Sequence, residues 1–331
     1  MRPFAEIILL VLPLFCVAVH GADADFAVEK TDRGVTVKYK GELFTEYVIK
    51  EANKPYLWPV IGPTGKAMTR AYPMKTVEGE QHDHPHHRSI YFGHEVVNGS
   101  DTWHEAATFS FLTPHRAAKL GAIVHREFLD ARADADKAVI VAANDYNGAD
   151  GKKTMEDIRR LTFKVVGDTR VIDYEIEFIA SAGPVTFDDR KDAGFSVRVP
   201  SSMAVDSKKG GRIITSEGLT DAAAWGKRAK WCDYYGPVEG ETLGIAMLNH
   251  PSSYNFPTPW HVRTYGLLTA NAFGQRSLNK TEPDGKKQLQ TGERLVLRHR
   301  IIFHKGDEKT GKIADAYEQY AKETFGAEAT K

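Results

Sequence analysis

Cysteine is nearly absent from this 331-residue sequence: Cys16 and Cys232 are the whole supply. Cys16 falls in an N-terminal stretch that reads as a leader, so the processed chain is expected to keep Cys232 alone. It then has no intrachain disulfide, and its stability has to come from a packed core. Net charge is absent as well. Lys plus Arg and Asp plus Glu both number 44, and a chain with no basic excess lacks the electrostatic footprint of a nucleic-acid binder. There is no low-complexity tract and no long charge run. A Gly-rich phosphate loop, a Gly-x-Ser-x-Gly turn, a Cys-x-x-Cys pair and a Cys–His zinc framework are all missing. Those absences set aside nucleotide enzymes, the usual α/β serine hydrolases and zinc fingers.

Long apolar runs are scarce too. The one candidate, Ile7 to Val19, is shorter than the roughly 18–20 residues needed to span a bilayer. Arg2 precedes it, and Val19-His20-Gly21 offers a small-residue cleavage site before Ala22. That is the pattern of a signal peptide. Residues 1–21 are therefore expected to be removed on export, leaving 22–331 as a single periplasmic or secreted domain with no membrane span.

What is present is mostly strand. Hydrophobic residues make up 42% and charged residues 27%, ordinary for a globular protein. Period-two patterns run through Phe26–Glu29, Val35–Tyr39 and Leu43–Val48, with turn signals at Asp32-Arg33-Gly34 and Lys40-Gly41-Glu42. Residues 51–80 are richer in Gly and Pro and suit a loop holding one short strand. Further strands are predicted over 89–97, 122–128, 138–143, 159–166, 170–179, 195–199, 212–215, 243–248 and 293–304. Only the C-terminus reads as helix, with Ile313, Tyr317, Tyr320 and Phe325 forming an apolar stripe between Lys309 and Phe325. Many strands with frequent turns and one terminal helix predict an all-β fold, a large β-sandwich.

Two polar clusters stand out. The first is Gln81-His82-Asp83-His84-Pro85-His86-His87-Arg88-Ser89. Imidazole can ligate a metal or exchange a proton near neutral pH. Pro85 prevents a regular strand there, so several rings can turn into one cavity. His82, His84 and His86 are candidate ligands for a divalent metal, although their spacing matches no established metal motif. His94 and His104, nearby, read as structural. The second cluster is Asn249-His250-Pro251 followed by Trp260-His261-Val262-Arg263. Three prolines between positions 251 and 259 force a long irregular loop, of the kind compact domains keep for function. On the strand that closes it, His261 and Arg263 share one face. A His-x-Arg pair offers an acid or base beside a fixed positive fork. The charged loop Asp188–Asp192 and the aromatic stretch Trp225–Gly236 are further candidates. Within the latter, Asp233 reads as an acid, base or ligand, and Cys232 as an inert buried thiol.

The ordered set of pieces resembles one family, the bacterial group labelled methane oxygenase PmoA family proteins, also described as a domain of unknown function. The resemblance rests on Asp83-His84-Pro85-His86-His87-Arg88, Asn98-Gly99 with Trp103, and Lys191-Asp192-Ala193-Gly194-Phe195. It continues through Trp225-Gly226-Lys227-Arg228-Ala229 with Trp231 and Asp233, His250-Pro251, Trp260-His261-Val262-Arg263 and Asn271-Ala272-Phe273-Gly274. The sequence departs at Asp192, where the family tends to have Glu, and at Ala272, where it tends to have Pro. A methane monooxygenase subunit is a membrane protein, so the label implies no reaction here. The family is similar in strand pattern to galactose-mutarotase-like supersandwich proteins, and the resemblance implies a place in bacterial sugar degradation.

These readings combine into an expectation. The chain is a β-supersandwich acting on a small-molecule or oligosaccharide substrate as a secreted sugar lyase, epimerase or hydrolase. His86 or His87 shares proton transfer with His261, and Asp233 orients a histidine or binds a hydroxyl. Arg88 and Arg263 bind negative charge, Trp103 or Trp260 stacks on a ring, and His250, Asn271 and Lys191 contact substrate. No cofactor is required on this reading. The alternatives are a non-catalytic periplasmic sugar-binding module and a metal-dependent enzyme using the His82–His87 loop.

Overall fold

The computed structural model describes residues 25–109 and 114–325. The expected signal segment 1–21 lies outside the described residues. The strands are, in order, β1 (Phe26–Lys30), β2 (Gly34–Tyr39), β3 (Glu42–Val48), β4 (Tyr56–Val60), β5 (Ile90–His94), β6 (Ala122–Ala133), β7 (Lys137–Asn147), β8 (Lys153–Val166) and β9 (Thr169–Ile179). They continue as β10 (Val185–Phe187), β11 (Ala193–Arg198), β12 (Arg212–Thr215), β13 (Trp231–Val238), β14 (Glu241–Asn249), β15 (Leu267–Ala270), β16 (Lys287–Leu289) and β17 (Arg294–Lys305). Single helical turns α1 (Ala106–Phe109) and α2 (Pro114–Ala117) precede β6, and α3 (Ile313–Tyr320) follows β17.

The long strands form two antiparallel sheets. Sheet I has the order β1-β2-β3-β4-β5-β11-β15, and sheet II the order β12-β13-β14-β17-β9-β8-β7-β6. A small β10–β16 pair stands apart. The period-two pattern explains the packing. Ile90 and Phe92 of β5, Phe195 and Val197 of β11, and Leu161, Phe163, Ile172 and Phe178 of sheet II all enter one buried cluster. Phe92 meets Phe178 at 5.0 Å and Phe195 meets Tyr174 at 4.3 Å between ring centres. Each such ring contributes about 1.5–3 kcal/mol by leaving water.

The alternate residues of sheet I face away from this core. Tyr91, Trp103 and Leu267 form a separate apolar cluster on that outer face, and loops roof it. One glycine lets the roof come close and another lets neighbouring strands of the sheet do so. A Cβ at Gly93 would sit 3.0 Å from the Trp103 Cα, and one at Gly194 (φ 121°) would meet the Ala270 carbonyl oxygen at 2.2 Å. The outer face of sheet II instead receives α3, whose Ile313, Tyr317 and Tyr320 cover Val171, Trp231, Leu248 and Ile302. That helix is shorter than its stripe predicts. Gly311 lies directly against the His304 ring, and Lys312 is left-handed (φ 52°), so the helix starts only afterwards. Among the described residues no helix is long and apolar enough to cross a membrane.

One part of sheet II overturns the sequence reading. The stretch around Asp233 is β13, hydrogen-bonded between β12 and β14, with Asp233 opposite Ala246. Its aromatics are packing residues, not a loop lining a site.

Sheet II also buries charge. Asp157 and Arg159 are both fully buried on its inner face. The Arg159 guanidinium donates to Asp157 (2.9–3.2 Å), as do Asn144 Nδ2 (2.6 Å) and Tyr146 Oη (2.8 Å), while Arg159 Nη1 donates to Tyr174 Oη. Removing one partner strands the other charge. Arg159→Leu should therefore lower unfolding free energy in urea by about 3–5 kcal/mol, and Asp157→Leu with Arg159→Leu together by less than the single change. A double variant as unstable as the sum of the singles would contradict this.

Candidate active site

The His cluster is built on an arginine. Arg70, fully buried, donates to the backbone carbonyls of Tyr72 (3.1 Å), Gln81 (3.2 Å) and His84 (3.0 Å), and pairs with the Asp83 carboxylate. The 70–84 loop is folded around this one guanidinium. A second arginine, Arg198, rises from β11 on the outer face of sheet I and is 1% exposed at its side chain. It donates to Asp83 Oδ1 (2.7 Å), to Gln81 Oε1 (2.8 Å) and to Nδ1 of His87 (3.3 Å). Burial and the charge of Arg198 push Arg70 down to about 10, with Asp83 opposing. Burial would raise the Asp83 carboxyl, but the His84 hydrogen bond and the charges of Arg198, His84 and Arg70 hold it well below the usual carboxylate range.

Two ring orientations follow. His84 Nδ1 lies 2.6 Å from Asp83 Oδ2. An ionised carboxylate only accepts, so Nδ1 carries the proton and Nε2 is the nitrogen left for a ligand. Guanidinium only donates, so His87 Nδ1 is an acceptor and its proton is on Nε2. The backbone supports this: His84 has φ 45°, a left-handed conformation that a non-glycine residue adopts at a cost of about 1–2 kcal/mol, and its carbonyl accepts from both Arg70 and the His87 N–H. The rings of Tyr265, His84 and His87 stack, with His84 at 4.9 Å from Tyr265 and 4.7 Å from His87. His86 stands edge-on to His87 at 4.4 Å and 4.7 Å from His104. Nδ1 of His86 is 2.9 Å from Thr108 Oγ1, and Nδ1 of His104 is 2.8 Å from Asp101 Oδ2.

The second cluster closes the other side. His261, Arg263 and Tyr265 come from the segment leading into β15. The Asn271 side chain donates to the carbonyls of Arg190 and Lys191 and accepts from the N–H groups of Phe273 and Gly274, which fixes the turn carrying Lys191 and Asp192. Lys191 Nζ donates to both Asp192 oxygens (2.9 and 2.7 Å). His261 Nε2 is 3.9 Å from Asp192 Oδ1. Together these groups bound a cavity of about 340 Å³, lined among others by His84, His86, His87, His261, Arg263 and Lys191. Burial would raise Asp192, yet the hydrogen bond and charge of Lys191, with His261 and His104, hold it low.

The expected residues thus divide. His84, His86, His87, His261, Arg263 and Lys191 share the cavity, although His87 and His261 are 174 positions apart in the sequence. The others lie elsewhere. Arg88 does not reach it, because its guanidinium forks onto Glu105 (2.7–3.0 Å). Trp103 is 1% exposed and packs beneath the His86, His87 and Tyr91 rings, so it cannot stack on a sugar. Trp260 is fully buried in the inter-sheet core and donates its indole N–H to the Ala229 carbonyl. Asp233 pairs with His304 at 3.1 Å on the outer face of sheet II, the opposite side of the sandwich. His250 is on that side too, its ring against Tyr320 and Phe325. Asn271 positions a loop and does not line the cavity. His82, His84 and His86 do not converge as a ligand set: His82 stacks on Tyr72 at 4.8 Å, and among the described residues no group of three His, Cys, Asp or Glu side chains is placed to hold a metal ion.

Sequence reasoning missed Arg70, Tyr265 and the inward role of His104. Arg198 had a signal, an arginine within the apolar strand Phe195–Val199. Arg70, in an irregular loop, had none. A larger groove of about 750 Å³ lies over sheet II, but its charges face one another as Arg294–Glu177, Arg298–Glu175 and Arg300–Asp173 pairs, leaving little free to act on a ligand.

The model of a family of unknown function, DUF6807, matches residues 34–318, and its description does not carry the PmoA label. No curated protein matches the sequence. Among solved structures, the chain is similar to an α-galactosidase from Lactobacillus brevis (10% identity, 91% of this chain, 42% of that one, TM-score 0.41). It is also similar to the heparan sulfate lyase HepC from Pedobacter heparinus (8%, 86% and 36%, TM-score 0.38) and to galactose 1-epimerase from Lactobacillus acidophilus NCFM (9%, 85% and 98%, TM-score 0.36). The chain spans well under half the length of the first two. No residue role is transferred from any of them.

Burial pushes His86 and His87 well below the ordinary imidazole value of 6.5, each with neighbouring positive charge adding to it. Burial takes His261 to about 3, against the pull of Asp192. Since the folded values lie below the unfolded one, the unfolded chain takes up protons first. Stability is intact above about pH 6.5 and falls below it by up to about 1.4 kcal/mol per pH unit for each such histidine. Urea midpoints measured between about pH 7 and pH 4 should fall accordingly, and His87→Gln should make that fall less steep. An unchanged slope would contradict burial of a neutral His87.

Proposed function

This chain belongs to the family of unknown function DUF6807, and we propose that its cavity is the active site of an exported carbohydrate-active enzyme that works by histidine acid–base chemistry. The observation that carries the reading is the relay Arg70/Arg198–Asp83–His84. A carboxylate held ionised by two buried guanidiniums orients an imidazole whose second nitrogen is free, the arrangement a general base needs. His87 Nε2–H and the Arg263 guanidinium then supply donors for a developing oxyanion. His104, anchored by Asp101, is available across the cavity to return or donate a proton.

Among sugar chemistries, this set favours a lyase or an epimerase over a hydrolase. Glycoside hydrolysis ordinarily needs two carboxyl groups flanking the bond. Here Asp192 is the one carboxylate lining the cavity among the described residues, and it is tied to Lys191. The volume suits a sugar ring or two, and Tyr265 gives an aromatic wall. The leader-like residues 1–21 support action outside the cytoplasm.

The test is a screen of the purified protein against neutral and acidic sugars and their oligomers for elimination and epimerisation, followed by variants. His84→Gln should reduce kcat by about a hundred- to ten-thousandfold with folding retained, and Asp83→Asn should do the same through His84. Full activity in His84→Gln would remove it as the base. Ligand binding with no turnover in wild type would favour the binding-module reading instead.

A further inference from the structure

We infer that the ligand is a sugar acid, and that its carboxylate sits on Arg263; this rests on the reading of the cavity as a carbohydrate site. The charges around the cavity make the case. Lys191 is matched by Asp192 and Arg116 by Glu95 (3.0 Å). Arg70 and Arg198, both essentially buried, share the single carboxylate of Asp83. Arg263 lines the cavity with no carboxylate partner among the described residues; its guanidinium rests only on the faces of Trp225 (5.9 Å) and Tyr265 (5.3 Å). The walls therefore carry an excess of positive charge, concentrated beside the one guanidinium whose donors are free to fork onto a ligand carboxylate.

A second, separate observation points to a ligand at the same place. His261 is 2% exposed, lines the cavity, and its Nδ1 has no hydrogen-bond partner among the described residues. Buried polar nitrogens are normally satisfied. A hydroxyl of a ring held by Arg263, two residues along the same segment, would satisfy it. Stacking of the Arg263 guanidinium on two aromatic faces leaves its edge, where the N–H groups lie, for the ligand.

The same carboxylate fits the chemistry. It acidifies the C–H next to it. That proton passes to His84 Nε2, and the electron pair is held as an enediolate whose oxygens face Arg263. Collapse then either expels the oxygen on the β-carbon, which leaves as an alcohol after taking a proton from His104, or returns a proton from His104 to the opposite face of the carbon. The first outcome is β-elimination and the second epimerisation. Both balance without an oxidant, a reductant or a further reactant.

Calorimetric titration decides the matter without turnover. Glucuronate and galacturonate, as methyl glycosides and short oligomers, are compared with their neutral counterparts on wild type, Arg263→Gln and Arg263→Lys. Wild type should bind the acids about ten- to a hundredfold more tightly than the neutral sugars. Arg263→Gln should erase that preference while neutral-sugar affinity is kept, and Arg263→Lys should retain part of it. His84→Gln should keep the preference intact, since it removes the base and not the fork. Equal binding of neutral and acidic sugars by wild type, or an unchanged preference in Arg263→Gln, overturns the inference and leaves the carbohydrate reading standing. Binding of no sugar at all overturns both. Circular dichroism and thermal unfolding of each variant establish that it is folded.

Discussion

One carboxylate between two buried guanidiniums governs this site. Asp83 is on a loop with no regular structure, yet it cannot move freely, because Arg70 and Arg198 both need it. Each arginine is buried almost completely, and burying a guanidinium without an anion costs several kcal/mol. Arg198 comes from a sheet strand, so the pairing fixes the loop to the fold at a known height. Arg70 then gathers the carbonyls of Tyr72, Gln81 and His84 around itself. The histidines follow from that: His84 is oriented by Asp83, His87 by Arg198, and the stack with Tyr265 sets their separation.

The sandwich makes such a site possible by dividing labour between the faces of its sheets. The inner faces form one apolar core with the Asp157–Arg159 pair inside it. The outer face of sheet II is covered by α3 and by ion-paired rows of Arg and Glu. The outer face of sheet I is roofed by loops that need no regular hydrogen bonding of their own, and Gly93 and Gly194 let that roof and its strands pack at close range. Polar residues can therefore be buried there without breaking a ladder. Buried neutral histidines are tolerable where, as at His86 and His87, one nitrogen finds a partner and the other is presented to the cavity.

How much of this was legible follows from the kind of signal each feature leaves. Strands such as β2, β9 and β17 alternate in sequence because one side faces a core, and they are readable from that period. β13 was not, because both of its faces are buried, by the core on one side and by α3 on the other, so its aromatics and Asp233 looked like a polar site. The meeting of the His82–His87 loop with the His261–Arg263 segment was visible as two dense polar clusters seeking one pocket. Which members face inward was not visible. Arg88 and Arg198 look alike in sequence; Glu105 claims the first and Asp83 the second, and only the tertiary fold decides that. Trp103 and Trp260 were expected at the surface of a site because tryptophan suits sugars, but their size made them floor and core.

The central claim is that Asp83 and its two arginines dictate opposite tautomers on neighbouring histidines. Nitrogen-15 NMR of the histidine side chains at neutral pH tests it directly, because protonated and unprotonated ring nitrogens have distinct shifts. The account predicts a proton on Nδ1 of His84 and a neutral His87 protonated on Nε2 alone. A His87 that carries its proton on Nδ1, or on both nitrogens, would contradict it.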